Sequence, residues 1–202
     1  IFTVTPIYSI PPRGAAAVET WMYQVAQRTK FPNRIVCIKN EGYSDYSYVN
    51  ERCSIHRIGF SSVYKRIFQK WTRLDPLPYS KRILKVAEKF EITDQSVIVV
   101  HNSMKLYRQI RSQAPQAKVV IHMHNAFEPK LLDKKVKMIV PSLFLKNYYQ
   151  SYLPEADIVI VPNGIDLDIY QSSYESISKN KLNIPPESKV VFFAGRIVPD
   201  KG

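Results

Sequence analysis

The sequence predicts an α/β fold: a Rossmann-like, doubly wound, mainly parallel sheet. Three observations predict it. Short apolar, β-branched runs recur along the chain, Val97-Ile98-Val99-Val100 being the plainest. Stretches with helical spacing separate these runs, and no repeat or low-complexity tract interrupts the alternation. Continuously apolar strands fit a sheet covered on both faces, and alternating β and α elements imply parallel pairing through crossovers.

In chain order, the expected strands are residues 2–5, 34–38, 54–58, 97–100, 118–123, 137–140, 158–161 and 190–193. The expected helices are residues 15–28, 64–73, 81–90, 103–111, 142–149 and 175–183. A boundary is expected late. Pro162-Asn163-Gly164 follows a strand, and Pro185-Pro186 precedes the last one. Residues 1–163 therefore read as one Rossmann-like domain. Residues 164–202 read as a linker helix and the first strand of a second domain, whose remainder is missing, because one strand and its turn cannot bury a core. The chain starts at Ile1, inside an apolar run, so both ends are expected to be trimmed.

Composition narrows the partners. The 202 residues are 45% apolar, which suits a globular core. No apolar run reaches the roughly 18–20 residues of a membrane span, so a soluble chain is expected. Two cysteines, Cys37 and Cys53, without a CxxC pair, fit a reducing cytosol. Lys and Arg number 29 against 17 Asp and Glu, a net charge of +12, which points to anionic partners. Nucleic acid, anionic lipid and phosphorylated sugars all satisfy that charge.

Ligands of open α/β sheets sit beyond the carboxyl ends of the strands, and four features fall there. The loop Tyr8-Ser9-Ile10-Pro11-Pro12-Arg13-Gly14 runs into a small-residue helix start, Ala15-Ala16-Ala17. Gly14 and the free amides of the first turn can receive a phosphate; the alternative is a plain loop. It is not a GxGxxG fingerprint, which disfavours an ordinary nicotinamide enzyme. His101 closes one strand, and His122 and His124 close the next, the last two sharing a strand face. A zinc site would want a further ligand, and none is obviously placed, so no metal is expected and His122 reads as a core histidine. His124, followed by Asn125, stands where a polar group meets a sugar hydroxyl.

Asn163-Gly164 is a strong turn signal whatever the function, and the carboxylates of Asp166-Leu167-Asp168 read as surface groups. Within Tyr64-Lys65-Arg66-Ile67-Phe68-Gln69-Lys70-Trp71-Thr72-Arg73, Ile67, Phe68 and Trp71 fall on one face of a helix. Lys65, Arg66, Lys70 and Arg73 flank it. Such a helix suits an anionic membrane surface or a phosphorylated acceptor, or else it is a solvated face over core aromatics. Lys81, Arg82 and Lys85 extend the same charge. Finally, Phe193-Ala194-Gly195-Arg196-Ile197-Val198-Pro199-Asp200-Lys201-Gly202 reads as a strand ending in a glycine and two cations, suited to a diphosphate.

Taken together, the loop glycine, His124-Asn125, Val161-Pro162-Asn163-Gly164-Ile165-Asp166 and the closing run have an order that resembles the retaining glycosyltransferases of family 4. That family has the two-domain GT-B fold. More narrowly, three stretches are similar to the lipopolysaccharide-core N-acetylglucosaminyltransferases: residues 1–21, residues 71–79 and His122-Met123-His124-Asn125-Ala126-Phe127-Glu128. The resemblance implies a nucleotide-sugar donor, UDP-N-acetylglucosamine, and a lipopolysaccharide-core acceptor. It also implies a peripheral, cytoplasmic place on the inner face of the inner membrane, with no nucleic acid and no cofactor beyond the donor.

Residue by residue, the resemblance implies that Arg196 and Lys201 bind the donor diphosphate and stabilise the departing nucleotide without a metal. Gly14 would present an amide to the same group, and His124 would contact the donor sugar. Asn163 and Gly164 would shape the hinge, and Arg13 with the basic helix would serve acceptor and membrane. The family's paired acidic motif would lie beyond Gly202, so the 202 residues alone are expected to be inactive. The alternatives are another hexosyltransferase of the same core pathway and a non-catalytic basic nucleic-acid-binding domain. The second lacks an aromatic RNA-binding motif and a zinc knuckle.

Overall fold

The computed structural model describes residues 1–14, 16–71, 75–90, 93, 95–167 and 179–191. The chain divides into two units, Ile1–Asn163 and Gly164–Gly202. The first holds an eight-stranded sheet. Its elements run β1 (Phe2–Val4), α1 (Ala17–Arg28), β2 (Asn33–Ile38), β3 (Tyr46–Asn50), β4 (Cys53–Ile58) and α2 (Ser62–Tyr64). A π-helix over Lys65–Trp71 follows, then α3 (Tyr79–Glu88), β5 (Val97–His101), α4 (Met104–Gln113), β6 (Lys118–His122), β7 (Lys137–Val140), α5 (Leu143–Tyr152) and β8 (Asp157–Ile160).

The strand order is β3-β4-β2-β1-β5-β6-β7-β8. Every pairing is parallel except β3 against β4. β1 pairs with β2 on one side and β5 on the other, so the winding reverses at β1 and opens a crevice beyond the ends of β1 and β5. Both faces of the sheet are buried, as the apolar strands require. Ile35, Cys37, Cys53 and Ile55 pack with Met22 and Ala26 of α1. The alternate residues Val36, Ile58, Ile98 and Val100 join Ile83 and Ala87 of α3 and Leu106, Tyr107 and Ile110 of α4.

Seven of the expected strands are present within a residue or so of their expected bounds. Three elements depart from expectation. β3 was not expected, because Tyr-Ser-Tyr-Val-Asn carries no continuous apolar run. It is an antiparallel edge strand with Tyr46 and Tyr48 exposed, and edges need no such run. The basic aromatic stretch is a π-helix after one α-turn, so its side chains do not keep α-helical spacing. Tyr64 and Phe68 pack with ring centroids 4.9 Å apart and planes tilted by 45°, whereas Trp71 is 86% exposed.

The third departure lies in the second unit. Lys179–Leu182 form a 3-10 helix rather than the end of an α-helix. Lys179 Nζ donates to the carbonyls of Pro186 and Ser188 at 2.6 and 2.7 Å. Val190 and Val191 are exposed and belong to no strand. The rest of that expected strand lies outside the described residues.

Candidate functional site

The first wall of the crevice is the loop between β1 and α1. Its start is fixed by a buried clasp, in which the Thr5 hydroxyl donates to Glu19 Oε1 at 2.9 Å. Tyr79 Oη donates to the Thr5 carbonyl at 2.8 Å. Farther on, a buried guanidinium from β4 holds the loop. Arg57 Nε and Nη2 donate to the Ile10 carbonyl at 3.0 and 2.6 Å, and Nη1 donates to the Ser44 carbonyl and Ser47 Oγ at 3.1 and 2.8 Å. Charge-assisted bonds of this kind are the strong ones.

Tyr43 Oη donates to the Pro11 carbonyl at 2.7 Å, and its ring carries Arg57 on one contact (5.0 Å) and Arg13 on another (4.5 Å). Arg13 Nη2 donates to the Gly42 carbonyl at 2.8 Å. Gly42 has φ +76°, which favours glycine, and a Cβ there would lie 2.7 Å from Arg13 Nη1, so a side chain would displace the guanidinium. A cavity of about 250 Å³ opens in this loop, bordered by Tyr8, Arg13, Gly14, Asn40, Glu41 and Tyr43. α1 begins at Ala17 with no side-chain cap, which leaves its first amides open.

The second wall is a histidine cluster on the α1 side of the sheet. His101 ends β5 and pairs in register with His122, which ends β6. His124 follows two residues later. The His122 and His124 rings stack at 4.0 Å, and His101 and His124 at 5.3 Å. His101 Nδ1 and His124 Nε2 share a hydrogen bond of 3.0 Å. Trp21 of α1 packs on all three rings at 4.9 to 5.8 Å between centroids.

Burial pushes all three imidazoles toward the neutral form. His101 lies well below its ordinary pKa, His122 is lowered to about 3 and His124 to about 4. For His101 and His122, the neighbouring imidazoles add to that effect. Trp21 Nε1 and His122 Nε2 are buried without a hydrogen-bond partner. One ring nitrogen from each histidine lies within 4.8 Å of the others, a separation that a divalent ion could span. In the arrangement present, His101 and His124 spend one nitrogen each on their mutual hydrogen bond, and the His101 and His122 rings are tilted by 42°. The arrangement is a hydrogen-bonded stack.

Two braces set the position of His124. Asn102, with φ 51°, donates its N–H to the His122 carbonyl at 2.9 Å and accepts the His124 N–H on Oδ1 at 3.0 Å. Buried Tyr149 of α5 donates its hydroxyl to the Asn125 carbonyl at 2.7 Å and accepts the Phe127 N–H at 3.2 Å.

The structure thus brings Gly14, Arg13 and His124 to the carboxyl ends of the strands, within one unit. Lys65 and Arg66 lie elsewhere, exposed on the π-helix. Lys70 belongs to that helix too. Arg82 does not extend a free charge there, since its guanidinium rests on Phe60 (4.4 Å) and Tyr64 (4.8 Å). Asn163 and Gly164 are exposed where the two units meet in sequence. Arg73, Arg196 and Lys201 lie outside the described residues. The sequence reading missed Asn102, Arg57, Tyr43 and Glu19. Asn102 carried a signal, being an asparagine directly after a β-branched strand, where the left-handed conformation is tolerated. Arg57 carried none, because an Arg inside a strand reads as an outward-facing residue.

The mostly parallel open sheet, with helices on both faces and its winding reversed at β1, is a Rossmann-like architecture. Along all 202 residues the chain is 61% identical to the lipopolysaccharide 1,2-N-acetylglucosaminetransferase of Salmonella typhimurium, of which it covers 53%. It is 25% identical over 181 residues to the putative glycosyltransferase YtcC of Bacillus subtilis, covering 44% of that protein. The chain therefore spans about half the length of the curated relatives it matches. No protein-family profile matches it.

Proposed function

We propose that the whole protein is a family 4, retaining hexosyltransferase that moves N-acetylglucosamine from UDP-N-acetylglucosamine to a lipopolysaccharide-core acceptor. The observation that carries this reading is the 61% identity over the entire chain to a transferase named for that sugar and that substrate. The geometry supports it with an open helix start behind Gly14 and a neutral His124 just beyond the carboxyl end of β6. In this reading Gly14 presents its amide to the donor diphosphate, and His124 hydrogen-bonds the donor sugar near the reacting carbon. Arg196 and Lys201 hold the diphosphate, and Asn163 and Gly164 form the hinge.

The acceptor oxygen attacks the anomeric carbon as the bond to the diphosphate breaks on the same face, and the departing diphosphate takes the acceptor proton. The two cations carry the growing negative charge, so no metal is needed. Arg13 helps to seat the acceptor. The exposed Lys65, Arg66, Val63 and Trp71 suit an anionic, inner-leaflet surface, each basic side chain there being worth about 1 kcal/mol. No helix among the described residues is long and apolar enough to cross a membrane.

The test is transfer by the full-length protein against a panel of UDP-sugars, with EDTA present and with acceptor either free or on anionic vesicles. Transfer of N-acetylglucosamine is expected, with a loss of more than about a hundredfold in Arg196→Ala. The Lys65→Ala/Arg66→Ala pair is expected to slow only the vesicle reaction. Preference for another hexose would correct the donor. Salt-sensitive RNA binding without sugar transfer would overturn the reading.

A further inference from the structure

We infer that Asn102 and His101 are positioning residues for His124, setting the angle and the hydrogen-bonding nitrogen that it presents to the donor sugar. The inference rests on the reading of His124 given above. The geometry behind it is independent of any comparison.

His124 lies just beyond β6, where backbone torsions are no longer held by the full ladder of strand bonds. Two groups from the neighbouring strand replace that ladder. Asn102 Oδ1 fixes the His124 amide at 3.0 Å, while its own N–H, at 2.9 Å from the His122 carbonyl, fixes Asn102 against the end of β6. The left-handed conformation at φ 51° lets the backbone N–H and the short side chain of one residue each take one of these tasks, and asparagine tolerates it better than most residues. His101 then fixes the ring. Its Nδ1 engages His124 Nε2 at 3.0 Å, so Nδ1 is the His124 nitrogen that this bond does not use.

Stacking on His122 at 4.0 Å, with Trp21 against the edge of the group, closes the remaining rotation. A contact oriented by four neighbours can be held at a reacting centre without reorganisation. Losing about 1 Å of that placement can cost on the order of a hundredfold in rate.

The experiment uses the full-length protein and two substitutions at one position. Asn102→Gly keeps the left-handed backbone and removes the acceptor for the His124 amide; kcat/KM for the donor is expected to fall about ten- to hundredfold. Asn102→Asp keeps an acceptor oxygen at the same place and is expected to recover to within about threefold of wild type. In a His124→Ala background, Asn102→Gly is expected to cause no further loss, whereas general unfolding would multiply the two losses.

Unchanged turnover in Asn102→Gly, or losses that multiply in full, would overturn the inference while leaving His124 as a donor contact. Unchanged turnover in His124→Ala would overturn both. Nitrogen NMR of the wild-type imidazoles gives a readout that no misfolded variant can obscure. Coupling across the bond between His101 and His124 is expected, and two uncoupled rings would remove the role of His101.

Discussion

The two walls of the crevice are held in opposite ways. The β1–α1 loop is held by charge: Arg57 grips its Ile10 carbonyl, Arg13 ties it to the Gly42 carbonyl, and both guanidiniums rest on the Tyr43 ring. The histidine wall is held by neutral groups, which stack and hydrogen-bond at the ends of two paired strands. An irregular loop has no ladder to satisfy its carbonyls, and a guanidinium with five donors can serve several at once. Strand ends already have most of their backbone satisfied, so short neutral side chains suffice. The contrast separates a cation-rich side from a polar, uncharged one.

The largest expected effect is on the charged wall. Arg57→Met keeps much of the volume but leaves the Ile10 and Ser44 carbonyls without their donors. A stability loss of about 3 kcal/mol by urea unfolding is expected, on the scale of charged hydrogen bonds to buried groups. A loss under about 0.5 kcal/mol would mean that the loop does not depend on the guanidinium.

The neutral wall should show itself through pH. Its histidines are neutral in the folded protein and, once unfolded, take protons near the ordinary value of about 6.5. The unfolded state therefore binds more protons below about pH 6.5, and stability falls as pH drops. The fall continues until the folded state itself takes protons, at about 4 for His124 and about 3 for His122. Each such histidine contributes a slope of about 1.4 kcal/mol per pH unit in that window. His122→Phe keeps a stacked ring, removes the unpartnered Nε2, and is expected to shallow the slope between pH 6 and pH 5 by about one histidine's share. Equal slopes in the two proteins would contradict a neutral, buried His122.

The smallest effect concerns how tightly Arg13 is drawn into the charged wall. Gly42→Ala is expected to cost about 1–2 kcal/mol from its left-handed backbone alone. It should also release Arg13, whose guanidinium lies where the new methyl group would stand. A thermal melt that matches wild type would show that the turn relaxes freely.

Much of this arrangement was legible in the sequence, and what was not has a common cause. The apolar runs located seven strands because a sheet buried on both faces selects β-branched residues along the whole strand. His124 and Gly14 could be placed because strand ends and helix starts leave local marks. β3 escaped because an edge strand with exposed tyrosines needs no apolar run. The π-helix escaped because its aromatic and basic residues also fit α-helical spacing, and the wider turn is a matter of backbone pairing that side-chain periodicity does not record. Arg57 and Asn102 escaped because their roles are defined by partners distant in the chain, Ile10 lying 47 residues from Arg57 and His124 lying 22 from Asn102.

By itself, then, the sequence determined the parallel sheet, its winding and the strand ends where ligands are expected, since periodicity and β-branching act locally. Only the tertiary structure decided which side chains hold those ends. A guanidinium inside a strand becomes a loop brace when its barrel of neighbours offers carbonyls instead of carboxylates. Three histidines become a neutral, stacked cluster when burial penalises their charge and parallel register sets β5 beside β6.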